Sequence, residues 1–294
     1  METIRLSPEC ISCLAKKQLE RYPTDIGTDK KIKYMQAVLK IISEAPKSMS
    51  APEIVDRIYD LQEKMFGAGK DYADTKRYFN ELMLGLEPEI SSIVKKSDNP
   101  LKSAIQYAMT GNYIDFAAME NVEEGELKKL LDKSSEIVIN EQELKALKDD
   151  IISSKKLVYL TDNCGEIVLD KILISVIKEL NPLLNITVIV RGLPVVNDAT
   201  IFDAEQVGLA DTVHIMGNGS KIAGTVLDKI SHESKTAIES ADVIIAKGQA
   251  NFETLRECGL NIYYIFMCKC KMFADRFNVP LYSGILINDK SVCK

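Results

Sequence analysis

From Lys155 onward the chain alternates short apolar runs with helical segments, and this alternation constrains the fold more than any other feature. The runs are KLVYLTD, ITVIVRG, DTVHIMG, DVIIAKG, NIYYIFM and a terminal GILIND. Most are continuously apolar, the pattern of strands covered on both faces of a parallel sheet. Between them lie segments such as GEIVLDKILISVIKEL and NDATIFDAEQVG. Such repetition predicts an α/β fold with a doubly wound, mostly parallel α/β/α sheet.

Before residue 155 the periodicity is helical. Ile32, Met35, Val38 and Ile41 recur on one face, as do Ile54, Ile58 and Leu61. Ser50 with Pro52 starts one helix, the run 71–97 forms another, and Asn140 with Glu143 reads as a capping box for a third. The first 130 residues carry no β-branched alternation. The expected organisation is a helical domain over 1–154 and an α/β catalytic domain over 155–294. No internal repeat or low-complexity stretch interrupts either.

Composition narrows the function classes. A net charge of −6 argues against general affinity for nucleic acid or an anionic membrane, so an anionic substrate needs local positive groups. No apolar run reaches membrane-spanning length, and METIRLSPEC has no apolar signal core. Seven cysteines in a chain of 294 residues then predict reduced thiols in a cytoplasmic protein. The two histidines, His214 and His232, leave little scope for an imidazole-rich metal site.

The polar residues fall where the strands end. Strand 157–161 runs into Asp162-Asn163-Cys164-Gly165-Glu166, and strand 186–190 into Arg191 and then Asn197-Asp198. Strand 212–216 ends in Gly217-Asn218-Gly219-Ser220. Strand 243–246 ends in Lys247-Gly248-Gln249, with Asn251 and Glu253 following, and strand 262–267 ends near Lys269. Ligands of open parallel sheets bind outside these carboxyl ends. Asp162, Asn163 and Asp198 offer oxygen and no sulfur, which suits a hard cation such as Mg²⁺ or Mn²⁺. Arg191, Lys247 and Lys269 could clamp phosphate oxygens around it.

At these positions the sequence resembles the damage-control phosphatase family, a former domain of unknown function once proposed to be a carboxyl methyltransferase. The matching motifs are Asp162-Asn163-x-Gly165-Glu166, Arg191-x-x-Pro194-x-x-Asn197-Asp198-x-Thr200, Lys247-Gly248-x-x-Asn251-Phe252-Glu253 and Lys269-Cys270. Upstream, Cys10-x-x-Cys13 and Gly111-Asn112-x-x-Asp115-Phe116 resemble the prokaryotic branch. Lys271, where relatives carry proline or a small residue, departs from the pattern. The resemblance implies that Asp162, Asn163 and Asp198 hold a divalent metal (Mg, Mn, Co or Ni), and that small phosphate monoesters are the substrates. The catalytic expectation falls on Glu166, Lys247, Lys269 and Arg191. The substrate-binding expectation falls on Asn112, Asp115, Gly165, Asn197, Gln249 and Asn251.

Each feature also has a structural explanation. Asp162-Asn163 and Asn197-Asp198 could cap helices. Lys247 and Lys269 could be solvated, and Glu166 could be a first-turn acid favoured by the helix dipole. Cys10 and Cys13 could be buried structural thiols, or a metal or redox pair. Gly111-Asn112 could break a helix or reach the site. In the expected mechanism a metal-bound phosphate is attacked by a water oriented by Glu166. Asp162 as nucleophile ranks lower, because Asn163 cannot serve as acid or base. The competing classes are a carboxyl methyltransferase using S-adenosylmethionine and a non-catalytic sugar-phosphate binder. An acidic loop with one glycine after the first strand, and no glycine-rich loop, argues against the former.

Overall fold

The computed structural model describes residues 5–21, 23, 25–113 and 124–292. The chain forms two compact units, dividing between Asp71 and Tyr72. The first holds α1 (Pro8–Gln18), α2 (Thr28–Ser43) and α3 (Ala51–Phe66). Its core gathers Leu14, Tyr34, Val38, Ile42, Met49, Ile54 and Ile58. Ser50 caps α3 through a box with Glu53, and Pro52 occupies the first turn, where its missing N–H goes unneeded.

The second unit begins with α4 (Ala73–Lys96), α5 (Pro100–Tyr113), α6 (Glu124–Asp132) and α7 (Glu141–Ser153). Strand and helix then alternate through β1 (Lys156–Leu160), α8 (Glu166–Leu180), β2 (Asn185–Val190), α9 (Ile201–Gln206) and β3 (His214–Gly217). They continue through α10 (His232–Glu239), β4 (Val243–Lys247), α11 (Gln249–Leu255), β5 (Ile262–Met267), α12 (Lys271–Phe277), β6 (Gly284–Asn288) and α13 (Asp289–Val292). The six strands lie in the order β3-β2-β1-β4-β5-β6. β1 to β5 run parallel, and β6 returns antiparallel to β5.

Both faces of the sheet are covered, as continuously apolar strands require. Leu157, Tyr159, Val243, Ile245, Tyr263 and Ile265 point to one core, with residues of α4, α5, α7 and α8. Val158, Leu160, Ile244, Ala246, Tyr264 and Phe266 alternate to the other, with Ile238, Phe252 and Phe273. This sharing explains why the units do not divide at 154/155. The change of periodicity lies there, but α4 and α5 bury their apolar stripes against the sheet's own core. Asn140 caps α7 by accepting from Gln142 and Glu143 N–H. The reciprocal half of the expected box is not made, because the Glu143 carboxylate accepts from Asn288 N–H at 3.0 Å.

Candidate active site

β1 and β4 are neighbours in space, although β2 and β3 separate them in sequence. The crevice of a doubly wound sheet opens at this switch point, at the carboxyl ends. The loop after β1 is stitched to the loop after β2. Asn163 and Asp198 form an antiparallel bridge, Ala199 N–H donates to Asp162 O at 2.7 Å, and Cys164 N–H to Asn197 O at 2.8 Å. Asp162, Asn163 and Asp198 thus come together from segments 35 residues apart. They are 9%, 8% and 6% exposed, so the cluster is sunk yet open on one side.

None of the three caps a helix. The N-cap of α8 is Gly165 at φ 66, and that of α9 is Thr200, boxed with Asp203. Asp162 Oδ2 accepts from Asn112 Nδ2 at 2.8 Å and Asn163 Nδ2 at 2.9 Å. Asp198 Oδ2 accepts from Arg191 Nε at 2.6 Å. An Arg191 guanidinium nitrogen lies 3.9 Å from Asp162 Oδ1. Burial, then the charges of Asp198 and Glu166, push the Asp162 carboxyl up to about 7, against the pull of Arg191 and Lys269. Burial also raises Asp198, with Arg191 opposing. Carboxylates held this close and this dry want a cation between them.

Lys247 and Glu166 lie behind this cluster rather than in its mouth. Both side chains are fully buried, and the Lys247 ammonium sits 2.6 Å from Glu166 Oε1 and 2.5 Å from Asp170 Oδ1. It also donates to Ala108 O at 3.1 Å. Tyr159 OH donates to Asp170 Oδ1 at 2.8 Å. Burial disfavours the Lys247 charge, but Asp170 and Glu166 outweigh it and the net shift is upward. Glu166 Oε2 faces forward, accepting from Asn163 Nδ2 at 2.9 Å and Asn112 Nδ2 at 3.1 Å. So the first-turn acid is not a surface residue, and Lys247 is neither solvated nor free to reach a phosphate in this arrangement.

The remaining candidates separate by what their atoms do. Lys269 is exposed, forms no ion pair among the described residues, and is close enough to lower the Asp162 carboxyl. Arg191 is buried and committed to Asp198. Asn112 is buried near the end of α5, its Oδ1 accepting Met267 N–H at 3.1 Å, so it braces Asp162 from the end of β5. Gly111 ahead of it does not break α5; a Cβ there would lie 2.8 Å from Leu169 Cδ1. Asn251 donates to Thr161 O and Lys247 O and accepts from Thr225, so its amide holds strand ends together. Gln249 donates to Glu253, while its Oε1 is buried with no hydrogen-bond partner among the described residues. Asn197 enters through its backbone carbonyl, and Asp115 lies outside the described residues.

Other contributors are not evident from motif spacing. Asp170, the second partner of Lys247, sits inside what reads as an ordinary amphipathic helix. Gly248 adopts φ +81, and any Cβ there would overlap the Asp162 carboxylate, so the β4 turn admits that carboxylate only as glycine. A cavity of about 570 Å³ lies elsewhere, between α4 and the distal part of α8, and no candidate residue lines it. Cys13 is exposed on α1 and Cys10 partly so, and burial therefore does not account for the pair. Among the described residues no three or more Cys, His, Asp or Glu side chains converge as a metal cage. The Asp162, Asn163 and Asp198 set, with two carboxylates and one amide, still fits a Mg²⁺-like ion, which takes one or two carboxylates and completes its shell with water and phosphate oxygens. No helix among the described residues is long and apolar enough to cross a membrane.

The damage-control phosphatase ARMT1-like domain model matches residues 6–285. A damage-control phosphatase of Archaeoglobus fulgidus is 33% identical over 94% of this chain and 96% of its own length. One from Pyrococcus horikoshii is 30% identical over 98% of this chain and 99% of its own. The crystal structure of a DUF89 family protein from the latter organism superposes with a TM-score of 0.82 at 26% identity, covering 97% of this chain and 99% of that one. By that match and those relatives, the chain belongs to the damage-control phosphatase ARMT1-like family.

Proposed function

We propose that the protein is a divalent-metal-dependent phosphomonoesterase acting on small phosphorylated metabolites, sugar phosphates among them. The observation that carries this is the pairing of Asp162 and Asp198, two carboxylates raised first by burial and then by neighbouring acids, with the exposed Lys269 beside them. Asp162, Asn163 and Asp198 would hold Mg²⁺, Mn²⁺, Co²⁺ or Ni²⁺, since each keeps an oxygen that no hydrogen bond from the described residues engages. The ion would supply Lewis-acid stabilisation of charge on the phosphoryl group.

The protein's own residues divide the remaining work. Arg191 fixes the Asp198 carboxylate through Oδ2 and leaves Oδ1 for the ligand side. Asn112 and Glu166 fix Asp162 and Asn163 in the same way, from behind. Lys269 meets phosphate charge that the ion leaves unbalanced. Gln249 Oε1, unpartnered among the described residues, accepts a hydrogen bond from a substrate hydroxyl, a feature in favour of polyhydroxylated leaving groups. Water from the open side is the nucleophile. We assign Glu166 and Lys247 to bracing rather than to contact with the substrate, because both are fully buried against each other.

The test is phosphate release from a panel of phosphate esters with each of the four metals and with chelator, run beside calorimetric titration with S-adenosylmethionine. Metal-stimulated release without cofactor binding is expected. Tight cofactor binding with no metal-stimulated release overturns the proposal in favour of a methyltransferase.

A further inference from the structure

We infer that Asn80 is a positioning residue for the cation site, acting through the two loops that carry its ligands and touching no substrate. The inference rests on the assignment of Asp162, Asn163 and Asp198 as ligands. Asn80 lies on α4, is fully buried, and is remote in sequence from every motif that marks the site. Its Oδ1 accepts Gly165 N–H at 2.7 Å. Its Nδ2 donates to Asp203 Oδ1 at 2.9 Å and to Gln206 Oε1 at 2.8 Å.

The Gly165 bond reaches one ligand loop and the Asp203 bond the other. Gly165 follows Asn163 by two residues and caps α8 without a side chain of its own, so its N–H is one of the orphan donors of that helix. Asn80 supplies the missing acceptor from another helix. Asp203 in turn accepts Thr200 N–H and Oγ1–H at 2.7 Å each, and Thr200 follows Asp198 by two residues. One turn earlier on α4, Lys76 reinforces the second arm, its Nζ lying 2.7 Å from Asp203 Oδ2. The task needs an acceptor for a backbone N–H and a donor for a carboxylate on one short side chain, and among the standard residues asparagine fits that description. The result is a span from the Asp162–Asn163 loop to the Asp198 loop, fixing their separation independently of the bridge between them. A small hard ion demands near-ideal ligand geometry, so a loosened separation registers as lost affinity.

Calorimetric titration with Mn²⁺ tests this on wild type, Asn80→Leu, Asn80→Ala and Val94→Ala, with thermal melts on the same samples. Val94 is a buried core residue on α4 away from the site, so its variant reports general destabilisation. Asn80→Leu should raise the Mn²⁺ dissociation constant about 10-fold or more, the scale of lost outer-shell partners. Val94→Ala should lower the melting temperature without that change. Asn80→Ala, which leaves room for a water, carries the same expectation should the leucine variant not fold. Wild-type affinity in the Asn80 variants overturns the inference and leaves the site assignment standing, as does an equal loss in Val94→Ala. Failure of the wild type to bind Mn²⁺ sinks the assignment and the inference together.

Discussion

Two clusters of buried charge lie at the switch point, and each contains one cation and two carboxylates. In the rear cluster Lys247 stands between Glu166 and Asp170. In the front cluster Arg191 stands between Asp162 and Asp198. Composition and burial are nearly the same, yet the clusters differ in what is left over. The rear ammonium touches both carboxylates at hydrogen-bond distance, and all three side chains are closed to solvent. The front guanidinium engages Asp198 closely and Asp162 only at 3.9 Å, and both acids keep an edge open to solvent. The lesson is that a buried ion cluster serves as brace or receptor according to whether its cation already holds both acids at hydrogen-bond distance.

Removing the cation should separate the two most sharply at the rear. Lys247→Met leaves two carboxylates buried face to face, and breaking such a pair typically destabilises by about 3–5 kcal/mol. Denaturant unfolding should register that loss, and a variant as stable as wild type would make Lys247 a front-cluster residue after all. Next comes the front: Asp162→Asn should weaken Mn²⁺ binding by about 100-fold or more, beyond the usual range for outer-shell partners. Its metal-free melting temperature should hold or rise, since one of two repelling charges is gone. A fall in melting temperature matching that of Lys247→Met would erase the distinction.

The exposed Lys269 offers a smaller effect. Lys269→Met should reduce turnover by up to about 10²-fold, moderated by solvent screening, with folding stability unchanged. Unaltered turnover would make it a plain surface charge. The last expected effect is in pH. The Asp162 carboxyl is raised from 3.8 to about 7, so between these values the folded state binds more protons than the unfolded. Stability of the metal-free protein should therefore fall as pH rises from about 4 to about 7. Mn²⁺ affinity should rise over the same interval as the proton leaves. Melting curves with chelator and with Mn²⁺ at several pH values read both trends, and parallel curves would contradict them.

Much of this was legible in the sequence, for a local reason. Continuous apolar runs such as DVIIAKG announce strands, and the polar residue closing each run announces the edge where it will stand. Asp162, Asn163 and Asp198 could be found that way because strand direction fixes their side of the sheet. The partners could not. Asp170 in EIVLDKILISVIKEL looks like a solvent-facing turn of an amphipathic helix, and only the arrival of Lys247, 77 residues on, buries it. Asn80 reads as one more polar position in RYFNELML. The division of the chain into units was hidden for the same cause. Periodicity reports where helices stop alternating with strands, but not that α4 and α5 roof a sheet whose first strand begins at residue 156. Lys247 shows the limit most plainly: a lysine ending a strand reads alike whether it faces a phosphate or two buried acids.

The reach of the Lys247 contacts also bears on how the molecule is made. Its ammonium joins Ala108, Glu166 and Asp170, which precede it by 139, 81 and 77 residues. A chain emerging from its N-terminus delivers β1, β2 and β3 before β4, and β4 must then dock on the free edge of β1. Until that happens Glu166 and Asp170 lack the ammonium that pairs with both in the folded protein. Non-local closure of this kind is slow. The site is thus a late product of synthesis, assembled when β4 joins β1.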